Sequence, residues 1–183
     1  MRRVATLGAV LVLVGAVWPT THAMAQGSPA AAAPAAGSLR ADFNHDGFAD
    51  LAVGVPQDGP GGLFRAGAVN VLYGSAGGLS GSGSQYFTQN TPGVGSSAER
   101  FDTFGAALAG GDFNNDGAGD LAVGAPRESL GSIIDRAGAV TVLYGSAGRL
   151  SGTGSQFFTQ ETPGVGDNAE NNDLLGSALA ASG

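Results

Sequence analysis

Short apolar runs alternate along this chain with stretches rich in Gly, Asp, Asn and Ser, and the apolar runs come in pairs. Leu51-Ala52-Val53-Gly54-Val55-Pro56 returns as Leu121-Ala122-Val123-Gly124-Ala125-Pro126. Residues 65–77 return as 136–148 with one change, Asn70 to Thr141. In the second of these segments Val140, Val142 and Tyr144 share one face, a period of two that predicts a half-buried strand. Beyond the N-terminal segment no ten-residue stretch shows an amphipathic 3.6-residue period free of Gly, so helix is expected to contribute little.

Sliding the sequence on itself gives a unit of about 71 residues. Ser84-Gln-Tyr-Phe-Thr-Gln89 matches Ser155-Gln-Phe-Phe-Thr-Gln160, and the Thr-Pro-Gly-Val-Gly at 91–95 recurs at 162–166. The complete unit predicts four strands, at 106–109, 120–125, 139–144 and 156–160. Short strands repeating radially with Gly-rich turns define an all-β fold of β-propeller blades, each of four antiparallel strands. The expected division is a signal peptide at 1–25, an Ala/Pro-rich linker at 26–38, repeats at 39–103 and 104–174, and the start of a third at 175–183. Propellers close with four to eight blades. Two blades and an opening strand are therefore expected to need further blades, or self-association, to complete the ring.

Each apolar run of the first pair follows an oxygen-rich nonapeptide, Asp42-Phe-Asn-His-Asp-Gly-Phe-Ala-Asp50 and Asp112-Phe-Asn-Asn-Asp-Gly-Ala-Gly-Asp120. Oxygens at positions 1, 3, 5, 7 and 9 of a tight loop can face one centre. They are Asp42, Asn44, Asp46, the Phe48 carbonyl and Asp50, then Asp112, Asn114, Asp116, the Ala118 carbonyl and Asp120. Hard oxygen donors in a flexible cage suit Ca²⁺ better than Mg²⁺, which resists an all-protein cage. An EF-hand would need a Glu at position 12 and a helix beyond it; Val53 and Val123 stand there instead, in predicted strands. Asn-x-Asp-Gly is also a good turn sequence without any ion. Three carboxylates within nine residues, however, repel one another unless a cation intervenes. Two structural Ca²⁺ sites are expected, with dissociation constants on the order of 10⁻⁴–10⁻³ M, as in extracellular modules.

The two ends of the chain add compartment. Arg2-Arg3, the apolar stretch at 4–17 and Ala23-Met24-Ala25 form an export signal, too short to span a bilayer comfortably. No cysteine follows it, which excludes a lipid-anchored lipoprotein and leaves an exported protein without disulfides. Lysine is absent. Removing the signal leaves six arginines against fifteen acids, a formal charge of −9, so attraction to nucleic acid or to anionic lipid is not expected, and neither is membrane insertion after cleavage.

With Phe104-Gly105 and Gly124-Ala125-Pro126 flanking the Asp112–Asp120 loop, the chain resembles the FG-GAP repeat family, found in the N-terminal β-propeller of integrin α chains and in many exported bacterial proteins. The first unit keeps Gly54-Val55-Pro56 but lacks a clear Phe-Gly; the third opens with Leu175-Gly176. The resemblance implies a seven-bladed propeller in full-length relatives, with calcium loops bracing one end. High Ala, Gly and Arg usage suggests a bacterial source.

In a four-stranded antiparallel blade the calcium loops share one end with the 3–4 turns. The opposite end comprises 57–64, 90–102, 127–135 and 161–173, with nine acids against Arg100 and Arg127 and with Arg65 and Arg136 at the boundary. Integrin-like propellers present ligand there. The expected function is a secreted recognition or adhesion module with an extracellular protein or glycan ligand. The alternatives are the non-catalytic propeller portion of an exported, phospholipase-like hydrolase, or a scaffold. No catalytic residue is assigned: once the signal is removed, the single histidine is His45, inside the calcium loop. Tyr86, Phe87, Phe157 and Phe158 read as core residues.

Overall fold

The computed structural model describes residues 41–181; the predicted signal peptide and linker lie outside them. Seven strands form two antiparallel sheets, and among the described residues the only helical element is a single 3₁₀ turn, Pro60–Gly62. The first sheet orders β1 (Leu51–Val55), β2 (Ala68–Tyr73) and β3 (Ser80–Phe87); the second orders β4 (Ala107–Gly111), β5 (Asp120–Ala125), β6 (Ala139–Tyr144) and β7 (Ser151–Phe158). Both are meanders in which each strand pairs with the next. These are two propeller blades, with three strands of the first among the described residues. That strand was expected around 37–41, of which only Ala41 is described, outside any strand.

The second and third strands of the complete blade match the expected bounds, and the outer two differ. The fourth strand begins at Ser151 rather than 156, because Ser151 pairs with Tyr144 of β6 ahead of an irregular stretch in which Gly154 turns left-handed at φ 82°. After Leu175 no strand forms among the described residues; in the complete blade the equivalent segment, β4, is held by β5, and 176–181 have no such neighbour. Of the four aromatic residues read as core, Phe87 is buried, Phe157 and Phe158 are half-buried, and Tyr86 is exposed, its hydroxyl donating to Asp58 at 2.6 Å.

Adjacent blades are joined through their backbones. The amides of Phe101, Thr103 and Phe104 donate to the carbonyls of Phe64, Arg65 and Ala66 at 3.0, 3.1 and 2.9 Å. Seventy-one residues on, Asn172, Leu174 and Leu175 donate to Asp135, Arg136 and Ala137 at 2.9, 3.2 and 2.9 Å. Residues 172–175 thus dock on the second blade as 101–104 dock on the first. A Leu serves where Phe104 stands because the contact is made by amide groups. The approach demands glycine: a methyl group added at Gly54 would lie 2.0 Å from the Gly105 carbonyl oxygen, and one at Gly124 would lie 2.0 Å from that of Gly176.

The core lies between the two sheets. Val69, Val71, Tyr73 and Phe87 of the first blade pack with Phe104, Leu121, Val123, Leu143 and Leu150 of the second. Each such side chain, fully buried, contributes about 1.5–3 kcal/mol. Leu121 and Val123 are 1% and 0% exposed, whereas their equivalents on the outer face of the first blade, Leu51 and Val53, are 44% and 40% exposed.

A buried polar cluster closes the same seam at the end away from the nonapeptides. Glu128 accepts from Gln89 Nε2 at 2.5 Å and from Ser96 Oγ at 2.6 Å, and Asp102 accepts from the Glu99 amide at 2.5 Å. Burial raises Asp102 to about 6 and Glu128 to about 7; the charge of Glu99 adds to both rises, and that of Asp102 adds to the rise of Glu128.

Two predictions follow from this seam. Gly54→Ala should lower unfolding free energy by about 1–3 kcal/mol through overpacking in urea titrations, while Gly81→Ala, whose added methyl meets nothing within 4 Å, should leave it nearly unchanged. Since Asp102 and Glu128 titrate higher when folded than when unfolded, the native state holds more protons between the two sets of values. Stability should therefore fall as pH rises through about 6 to 7. Thermal melts from pH 5 to 8 should show that slope, and Glu128→Gln should flatten it.

Candidate metal centre

The two nonapeptides fold as near-identical hydrogen-bonded loops at one end of the blades. In the first, Asp42 Oδ1 and Oδ2 accept from the amides of Asp46 and Gly47 at 3.0 and 2.9 Å. Asn44 Oδ1 accepts from the Asp46 amide at 3.3 Å, and Asp46 Oδ1 from the Phe48 amide at 2.9 Å. In the second, Asp112, Asn114 and Asp116 repeat these bonds at 3.0, 2.9, 3.0 and 2.9 Å. The backbone turns through left-handed residues at position four (His45, φ 54°; Asn115, φ 58°) and position six (Gly47, φ 87°; Gly117, φ 91°). Asn tolerates that conformation through its short polar side chain, and Gly has no Cβ to obstruct it.

Position nine differs from the others in burial and partners. Asp50 accepts from the Phe43 amide at 2.7 Å and the Gly74 amide at 2.8 Å; Asp120 accepts from those of Phe113 and Gly145 at 2.8 and 2.9 Å. Each carboxylate ties the start of its loop to the turn after the third strand of its blade. Burial raises both groups, amide donors oppose that rise, and neighbouring loop carboxylates add to it: Asp42 and Asp46 for Asp50, Asp116 for Asp120. Asp116, fully exposed, is lowered by the Ala118 amide first and then by Asn114.

The sequence did not reveal that the first loop also rests on the second. The Asp42 carbonyl accepts from the Gly119 amide at 2.8 Å and the Phe43 carbonyl from the Ser146 amide at 3.2 Å. His45 Nδ1 lies 2.6 Å from the Gly117 carbonyl oxygen. The only signal in the sequence was the His45/Asn115 difference at position four, which carried no information about a partner.

The donor set tests well for a hard cation: carboxylate, side-chain amide and carbonyl oxygens only, all within one loop. Each oxygen that accepts one amide proton retains a lone pair. Among the described residues no three His, Cys, Asp or Glu side chains converge as a metal-holding group, because the loop oxygens are turned onto backbone amides. The fit is one of donor chemistry and spacing.

With this geometry in view, the comparisons with known proteins can be placed. The FG-GAP repeat model matches residues 30–72 and 104–143, in agreement with an all-β fold of propeller blades. Over 112 residues, 61% of this chain, it is 43% identical to phosphatidylinositol-glycan-specific phospholipase D of Mus musculus and equally to that of Rattus norvegicus. The protein of that name from Bos taurus is 41% identical over 113 residues. The chain spans about 13% of the length of these relatives. These are mammalian phospholipases, so the matches support the repeat family and neither a bacterial source nor an integrin-specific resemblance.

Asp120→Ala would strand the buried amide of Gly145 and the part-buried amide of Phe113 and should cost about 2–4 kcal/mol in chemical denaturation. Asp135→Ala, in an exposed loop, should stay within about 0.5 kcal/mol of wild type.

Proposed function

We propose that this chain is the calcium-braced propeller part of an exported protein and serves as a recognition module outside the cell. The observation that carries the reading is the recurrence, bond for bond, of an all-oxygen loop that also bridges the two blades. In this reading Asp42, Asn44, Asp46, the Phe48 carbonyl and Asp50 would hold one ion. Asp112, Asn114, Asp116, the Ala118 carbonyl and Asp120 would hold the other. A bound cation would relieve the repulsion among loop carboxylates and stiffen the join between blades. We assign the repeats to 39–103 and 104–174, with the remaining blades supplied by further sequence or by self-association.

A second reading has direct support from the relatives: the chain is the non-catalytic propeller portion of a phospholipase-like hydrolase. Both readings assign no catalytic residue here. Among the described residues the one histidine is bound into the first loop, and the chain has no cysteine. No described helix is long and apolar enough to cross a membrane.

EDTA should lower the melting temperature of the purified chain and Ca²⁺, not Mg²⁺, should restore it, by ligand linkage. Asp116→Ala should lose part of that Ca²⁺-dependent gain while Asp135→Ala keeps all of it. An unchanged melt under both treatments would end the metal assignment. Binding of the chain to immobilised extracellular proteins and glycans, set against hydrolysis of phosphodiester and ester substrates by the same preparation, separates the recognition and hydrolase readings.

A further inference from the structure

Four of the five arginines among the described residues, Arg65, Arg100, Arg127 and Arg136, gather at the end opposite the acidic loops. Three of them, Arg100, Arg127 and Arg136, line one pocket of 210 Å³ with Phe101, Ser129 and Asp135. Arg65 lines an adjoining pocket of 260 Å³ that shares Arg127. Although this end of the blades carries nine acids, the linings of the two pockets hold four arginines and one carboxylate, Asp135.

The fold, not sequence proximity, brings them together. Arg100 lies in the segment leaving the first blade, where the Glu99 amide bonds to Asp102. Arg127 begins the β5–β6 connection, and its amide donates to the Asp102 carbonyl at 3.2 Å. Arg136 ends that connection, its amide donating to Ser129 Oγ at 3.3 Å. The Arg136 Nε–Asp135 contact, 3.5 Å, is the one ion pair among the described residues, so Arg100 and Arg127 have no carboxylate partner there. Phe101 and Arg136 adopt left-handed backbone conformations, φ 76° and 52°, which a non-glycine residue holds only at a cost. Phe101 is braced edge-on by Phe64, with centroids 5.4 Å apart, and stays 41% exposed.

Three arginines and one aspartate line the pocket, a surplus of two positive charges within its lining. Guanidinium forks match the oxygens of phosphate and carboxylate. A carboxylate, a sulfate ester or a phosphodiester brings one negative charge, whereas a phosphate monoester brings about 1.5 to 2 near neutral pH. The half-exposed Phe101 ring adds an apolar wall of the kind on which a sugar face can rest. We propose that this pocket, formed where the first blade meets the second, binds a phosphate monoester group, with Arg100, Arg127 and Arg136 as its donors. The proposal needs no metal and stands apart from the calcium reading.

Calorimetric titration of the full chain with glucose 6-phosphate, inorganic phosphate and glucose tests it. Saturable binding of the sugar phosphate or of inorganic phosphate is expected, tighter binding of the former assigning the sugar to the Phe101 wall. Arg127→Gln and Arg136→Gln should each weaken it about tenfold or more, the loss of one charge-assisted contact. Arg136→Lys should recover only part of the loss, because it keeps the charge without the fork. Arg149→Gln, which removes the same charge elsewhere, should bind as wild type; circular dichroism of each variant reports whether the sheets persist. Absence of binding by both phosphates, equal binding of glucose, or an equal loss in Arg149→Gln would overturn the proposal.

Discussion

The blades of this protein are fastened by main-chain contact, and that contact sets everything else. Amides of the segment entering one blade bond to carbonyls of the blade before it. The approach is so close that Gly54 and Gly124 cannot carry a side chain. Because the join is made of backbone, it repeats with the 71-residue unit even where side chains change, as from Phe104 to Leu175. It also fixes the spacing at which Val69, Val71 and Tyr73 meet Leu121 and Val123 and seal the core.

The two ends of the blades differ in how they hold their charged groups. Six aspartates lie in the nonapeptides at one end, held by backbone amides and, at His45, by contact between the loops. At the other end the connections between strands converge over the seam. There they enclose Asp102 and Glu128, whose burial favours the protonated form, and leave the arginines facing outward around a pocket. Both ends are therefore features of the seam between blades as much as of either blade.

Strand identity was legible wherever the side chains spoke for it. The alternation of Val140, Val142 and Tyr144 and the apolar run at 121–125 place β6 and β5 at their observed bounds. The Ser-Gly-Thr-Gly opening of β7 was not legible, because glycine carries no periodic signal and only the pairing of Ser151 with Tyr144, beyond an irregularity in the ladder, starts the strand there. In the loops, the spacing of Asp and Asn was readable from one dimension, since those residues bond within nine positions. The bonds from Asp50 to Gly74 and from Asp120 to Gly145, and the rest of the first loop on the second, join residues far apart in the chain and left no local trace. The sequence placed Arg65, Arg100, Arg127 and Arg136 at one end of the blades, but not in shared pockets, for the same reason.

The sequence by itself determined the repeat, the sheet-forming segments, the turn chemistry of the nonapeptides and the scarcity of helix among the described residues, all consequences of short-range sterics and side-chain period. Tertiary structure alone decided which copy of an identical pattern is buried. Leu-Ala-Val-Gly occurs twice, and its Leu and Val are sealed at 121 and 123 but open to solvent at 51 and 53. Burial belongs to what lies across the interface, and among the described residues only the second copy has a blade against that face.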